Sequence, residues 1–121
     1  MVDKSKIEAI VAETMGANPD IQGMIVCDAS GKVLFGHTIT GGINHSEVAS
    51  LSVKIAAISA QLVGGIDKGG LKEVDITADQ GLVMILGDVK MVLAAISGEA
   101  ARESMGLIRM ALRRALVNMV A

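Results

Sequence analysis

Aromatic side chains are almost absent: Phe35 stands alone, with no tryptophan or tyrosine among 121 residues. That leaves no platform on which the bases of a single strand could stack. A basic excess is missing as well. Eleven Lys and Arg against 13 Asp and Glu leave a net charge of −2, so no cationic face displaces counterions from a polyanion. Nucleic acid is therefore not an expected partner. Cysteine occurs once, as Cys27, which excludes an internal disulfide and fits a reducing, cytoplasmic setting. No apolar run reaches the roughly 18 residues of a membrane span. The nearest, residues 82–96, is broken by Asp88 and Lys90. The opening Met1-Val-Asp-Lys-Ser-Lys lacks the apolar core of a secretory signal, and none is expected there.

Motifs for chemistry are missing too. Gly64 and Gly69 have the first spacing of a Walker loop, but Gly70-Leu71 follows where Lys-Ser/Thr is required. No Gly-x-Gly-x-x-Gly, Ser-His-Asp or Cys-His arrangement occurs. His37 and His45 flank one loop, yet with Asp28 and Glu47 they match no metal-ligand spacing; a strand-end and a helix-start histidine in water describe them better. Cys27 lies among apolar residues, where a thiol behaves as a small hydrophobe. The expectation is a chain that is not an enzyme and carries no cofactor or metal.

What the chain has is apolar surface. Hydrophobic residues make up 51%, with 14 glycines besides, well above the about 45–50% typical of both together. A single domain over 1–121 buries only about two-thirds of its unfolded surface, so part of the excess is left for a partner.

The order of elements follows from pattern. Asp3 or Ser5 caps a first helix with the stripe Ile7, Ile10, Val11 and Met15; Gly16 and Asn18-Pro19-Asp20 end it. Gly23–Asp28 and Val33–His37 form a hairpin about Ser30-Gly31-Lys32. Lys72–Thr77 alternates, with Glu73, Asp75 and Thr77 on a wet, charged face, as in an edge strand. Residues 82–86 and 91–96 are apolar on both faces, as central strands are, and Gly87-Asp88-Val89-Lys90 joins them. Glu99 to Val120 reads as a third helix whose core stripe runs from Ala101 through Ile108 and Leu112 to Met119. The sequence predicts a three-layer α/β/α sandwich in the order α-β-β-α-β-β-β-α, its five-stranded sheet mostly antiparallel.

The second helix, Asn44 to Val63, is unusual in having two buryable faces. Asn44 with Glu47 has capping-box spacing. At about 100° per residue, Val48, Leu51, Ile55, Ile58 and Leu62 share one arc. Ala49, Ser52, Ala56, Ser59, Ala60 and Val63 share another, with Val53 at its edge. The expectation is that the large aliphatic face lies on the chain's own sheet and the small face meets the same helix of a second copy.

Taken together, Ile21-x-Gly23 leading into Met24-Ile-Val-Cys-Asp28, then Gly31-Lys-Val-Leu34, the paired Leu82-Val-Met-Ile85 and Met91-Val-Leu-Ala-Ala95, and Met105-Gly-Leu-Ile-Arg109 resemble the Roadblock (dynein light chain) family. The resemblance covers nearly the whole chain and implies a Roadblock/profilin-like fold. It also implies a homodimer, or a heterodimer with a paralogous Roadblock chain, in which second helices lie side by side and third strands pair. The interface would include Ala49, Ser52, Val53, Ala56, Ser59, Ala60 and Val63 with Val74, Asp75 and Ile76. The implied role is binding and regulating a Ras-like small GTPase; alternatives are an adaptor light chain of a larger assembly or a small-ligand sensor. Thr38, Ile39 and Ile43, with Arg109 and Arg113, are the candidate partner surface. If the third strands pair, Glu73 and Asp75 face like charges, so an offset register or full solvation of both carboxylates is expected. Arg102, Arg109, Arg113 and Arg114 either serve the helix dipole and solvation or meet an acidic partner. Leu107, Met110 and Val117 either pack on the first helix or form a docking patch.

Overall fold

Helix α1, Lys4–Ala17, begins where the Asp3 carboxylate accepts a hydrogen bond from the Lys6 N–H at 3.2 Å, one of the orphan donors of a helix start. The computed structural model describes residues 3–87 and 90–121; the Asp88-Val89 part of the expected turn lies outside them. Strands β1 (Ile21–Asp28) and β2 (Val33–Thr38) follow. Between them the Asp28 carboxylate accepts from the Ser30 hydroxyl (2.6 Å) and from the N–H groups of Ser30 and Lys32. These bonds, the hydroxyl's foremost, hold its pKa below the usual range. Gly31 sits at φ +93, a conformation that glycine adopts without strain.

Helix α2, His45–Gly65, is capped as expected: the Asn44 side chain accepts from the Glu47 N–H at 3.0 Å. Strands β3 (Glu73–Ala78), β4 (Gly81–Gly87) and β5 (Met91–Gly98) come next. The expected third helix is divided. Residues Glu99–Ser104 wind as a 3-10 helix, and α3 runs from Met105 to Val120. The tighter winding seats Ala101 in the core, lets Arg102 donate to the Ala78 carbonyl and brings the Ser104 hydroxyl to 3.3 Å from the Asp20 carboxylate.

The sheet order is β2-β1-β5-β4-β3, and every neighbouring pair is antiparallel. The doubly apolar strands are thus central and β3 is an edge, as their sequences require. On one face α1 and α3 cover Met24, Val26, Met84, Leu93 and Ala95. On the other α2 covers Ile25, Cys27, Ile85, Val92 and Ala94. The result is a three-layer α/β/α fold.

Burial of α1 rests on Ile7 and Val11, both essentially inaccessible. Ile7→Ala should destabilise the subunit by about 2–5 kcal/mol, measured by urea denaturation.

Candidate functional site

α2 lies on the sheet the other way round from the sequence expectation. Ala49 is 1% exposed and Ser52 3%, and Val53 and Ala56 pack beside them against the β1, β4 and β5 residues of that layer. The large side chains turn outward: Leu51, Ile58 and Leu62 are 48, 67 and 64% exposed. Val48 and Ile55, at the border of the two arcs, are half-buried. The reason is volume. The sheet beneath already presents Ile25, Ile85 and Val92, and small residues let the helix backbone come close to them. Residues already inside the subunit have no surface to give a second chain. Ala49 and Ser52 therefore belong to the chain's own core, while Val53, Ala56, Ser59 and Val63 are half-buried and Ala60 is exposed.

The outward stripe continues past the helix. Ile66 is 57% exposed and Ile76, on edge strand β3, 37%. Val74 is packed into the α2 layer, and so Val74 and Ile76 lie on the α2 side of β3. By length and composition α2 also meets the criterion for crossing a membrane; its packing on the sheet and the outer Leu51–Ile58–Leu62 stripe account for that composition.

On the other face of β3, Glu73 and Asp75 are both paired, and Glu73 is largely withdrawn from water while Asp75 stays exposed. Arg109 reaches from α3 to Glu73 at 2.5 Å and to Asp75 at 2.8 Å, and Arg113 reaches Glu73 at 2.6 Å. The Glu73 side chain is only 10% exposed. Burial pushes its pKa up, but the bonds donated by Arg109 and Arg113 outweigh that and hold it below the usual range. Asp75 goes the other way, raised by burial and by Glu73 against the pull of Arg109. Full solvation of both carboxylates, one of the two expected outcomes, does not hold for Glu73, whose charge is offset by arginines of the same chain. Glutamate and arginine partners 36 and 40 residues apart leave no short-range signal in the sequence.

The candidate partner surface divides. Arg109 and Arg113 are spent on β3, at one edge of the sheet. Thr38, Ile39 and Ile43 lie by β2, at the opposite edge. Ile39 is 63% exposed, whereas Ile43 packs into the α2 layer. His45 stands over Gly36 with its Nε2 3.2 Å from the Thr38 hydroxyl. Among the described residues no group of three His, Cys, Asp or Glu could hold a metal ion. Leu107, Met110 and Val117 point outward from α3 at 70, 59 and 63% exposure, and α1 does not cover them.

Two measurements check this arrangement. Glu73→Gln should cost about 1 kcal/mol, a hydrogen-bonded charge discounted for its partly exposed partners, and lower Tm by a few degrees. Because folding depresses the Glu73 pKa, its contribution is present above the unfolded value of about 4.3 and lost as pH falls through the folded one. Wild type and variant should therefore converge as pH falls from the unfolded value through the lower folded one. Burial, foremost, raises the Cys27 thiol to about 11. Disulfide-reagent labelling of Cys27 should accordingly proceed only as fast as the protein unfolds.

No family model and no curated protein matches this sequence. Solved structures do. MglB of Myxococcus xanthus superposes with a TM-score of 0.83 at 19% identity, over 96% of this chain and 86% of that one. The gliding protein MglB of Thermus thermophilus gives 0.81 at 16%, over 96% and 87%. A Roadblock/LC7 domain of Streptomyces avermitilis gives 0.67 at 16%, over 90% and 96%. At such identities the likeness lies in the fold, and it agrees with the element order and sheet topology above. This chain has the fold of a Roadblock/LC7-like domain.

Proposed function

We propose that this chain is a non-enzymatic scaffold that dimerises through α2 and β3 and binds a Ras-like small GTPase to modulate its nucleotide cycle or location. The observation that carries the reading is the exposed aliphatic stripe of Leu51, Ile58 and Leu62, continued by Ile66 and Ile76 beside the free β3 edge. A contiguous apolar face of this kind marks an interaction site. A second copy, or a paralogous chain of the same fold, placed about a two-fold axis would lay stripe on stripe. It could also join β3 to β3, because Arg109 and Arg113 already offset the Glu73 and Asp75 charges that would oppose such pairing. The interface proposed from this geometry keeps Val74, Asp75 and Ile76, with Ser59, Ala60 and Val63 along the helix, and adds the large outward residues. The GTPase is carried over from the family resemblance of the strands and of Met105–Arg109, and the Roadblock-like fold supports it. Exposed Ile39, just past the end of β2, with half-buried Thr38 as the strand's last residue, offers the surface for that partner, within a cytoplasmic setting.

In the proposed dimer each large aliphatic side chain removed from water contributes about 1.5–3 kcal/mol. Ile58→Glu should therefore convert a dimer to monomers at micromolar concentration while leaving the circular dichroism unchanged, as read by size-exclusion chromatography with light scattering. A variant that stays dimeric overturns the interface. Calorimetric titration with Ras-like GTPases in GDP and GTP-analogue forms tests the partner. Binding to at least one form is expected; silence with both forms favours the adaptor reading.

A further inference from the structure

The sheet has a second edge that the dimer reading leaves open, and it borders a cavity. Between α1 and β2 runs a groove of about 510 Å3, walled by Ala12 and Met15 from the helix and Phe35 and Ile39 from the strand side, with Glu8 and His37 among its polar groups. This falls within the usual volume range of ligand sites, but its outer boundary is a strand edge. The ladder to β1 includes the bond from the Ile39 N–H to the Gln22 carbonyl, and the register pairs Thr38 with Gly23, His37 with Met24 and Gly36 with Ile25. By the alternation of an antiparallel ladder, the N–H and C=O of Thr38 and Gly36 point away from β1. Among the described residues nothing else is bonded to them. β2 also carries neither lysine nor proline, the residues that commonly guard an open edge.

We propose that β2 and the α1 groove together form a docking site for an extended peptide segment of a partner protein, added antiparallel as a sixth strand, with aliphatic side chains at alternate positions and a lysine or arginine beside them. The outward backbone groups of Gly36 and Thr38 select a strand over a helix or an acyl chain, since only a strand satisfies them in register. The strand's side chains on the α1 side enter the groove over Phe35 and Ile39, which lie on the same face of β2. Its cation answers Glu8, which makes no ion pair among the described residues. On the opposite face the His45 ring closes over Gly36, where an added Cβ would come within 2.7 Å of it, so any side chain at that position would displace the ring.

The probe is the peptide acetyl-Lys-Thr-Val-Thr-Val-Thr-Val-Lys-amide, titrated into the 15N-labelled protein. Saturable shifts and slowed hydrogen exchange are expected at the Gly36 and Thr38 amides, with sub-millimolar affinity. N-methylation of the peptide's strand-facing amides should weaken binding at least tenfold, and replacement of its lysines by glutamates several-fold. Ala12→Arg, at an exposed helix position, fills the groove and engages Glu8 one turn away; it should abolish binding while leaving the rest of the amide spectrum in place. Unaltered Gly36 and Thr38 amides at millimolar peptide overturn the proposal. So do shifts confined to α2 and β3, which would place the strand on the dimer edge, or equal binding of the N-methylated peptide, which would mean apolar adsorption. Occupation of the groove by decanoate in preference to the peptide also overturns it. Because Ile58→Glu leaves β2 untouched, loss of the dimer and loss of this site are separately visible.

Discussion

The close seating of α2 on the sheet is the contact on which the rest of the molecule depends. Ala49 and Ser52 are nearly inaccessible, with Ile25, Ile85, Val92 and Ala94 in the same apolar layer. Small side chains on the helix bring two backbones near enough for large ones on the sheet to fill the gap, which is how interiors reach close packing. That one choice of face sets the character of the outer surface. Once Ala49 and Ser52 are inside, Leu51, Ile58 and Leu62 have nowhere to go but outward, and this chain carries an apolar stripe as a result.

The two edges of the sheet are managed by different means. β3 bears two carboxylates on one face, and α3 brings Arg109 and Arg113 across to meet them. The charges are thereby contained within the subunit, while Val74 and Ile76 face the α2 side. β2 bears no such charge; it is flanked by α1 on one face and His45 on the other, with backbone groups left open between. An open edge either pairs or invites disorderly association. Here each edge is adjacent to exposed apolar surface, Ile76 and the α2 stripe on one side, Ile39 and the α1 groove on the other. The Roadblock-like fold supplies the same antiparallel frame for both.

Much was legible in the sequence because it was local. Asn44 with Glu47 named the start of α2 through a side chain reaching an N–H three residues on, and Asp3 or Ser5 marked that of α1, where the structure uses Asp3. Strands apolar on both faces, around Met24–Cys27, Leu82–Leu86 and Met91–Ile96, had to be central, and the alternating Lys72–Thr77 strand had to be an edge. The core stripes Ile7–Val11 and Ile108–Leu112–Met119 followed from helical periodicity. The 3-10 winding of residues 99–104 was not legible, since it depends on where Ala101 and Ser104 find their partners.

By itself the sequence determined the order of elements, the central and edge strands, and the fact that α2 carries a large-aliphatic arc and a small-residue arc. Tertiary structure alone decided which face goes inside and which meets solvent. Periodicity records that residues share an arc, but only the volume already occupied by Ile25, Ile85 and Val92 says whether large or small side chains fit above them. The same holds for the arginines of α3, whose meaning rests on carboxylates more than thirty residues away that folding alone brings within reach.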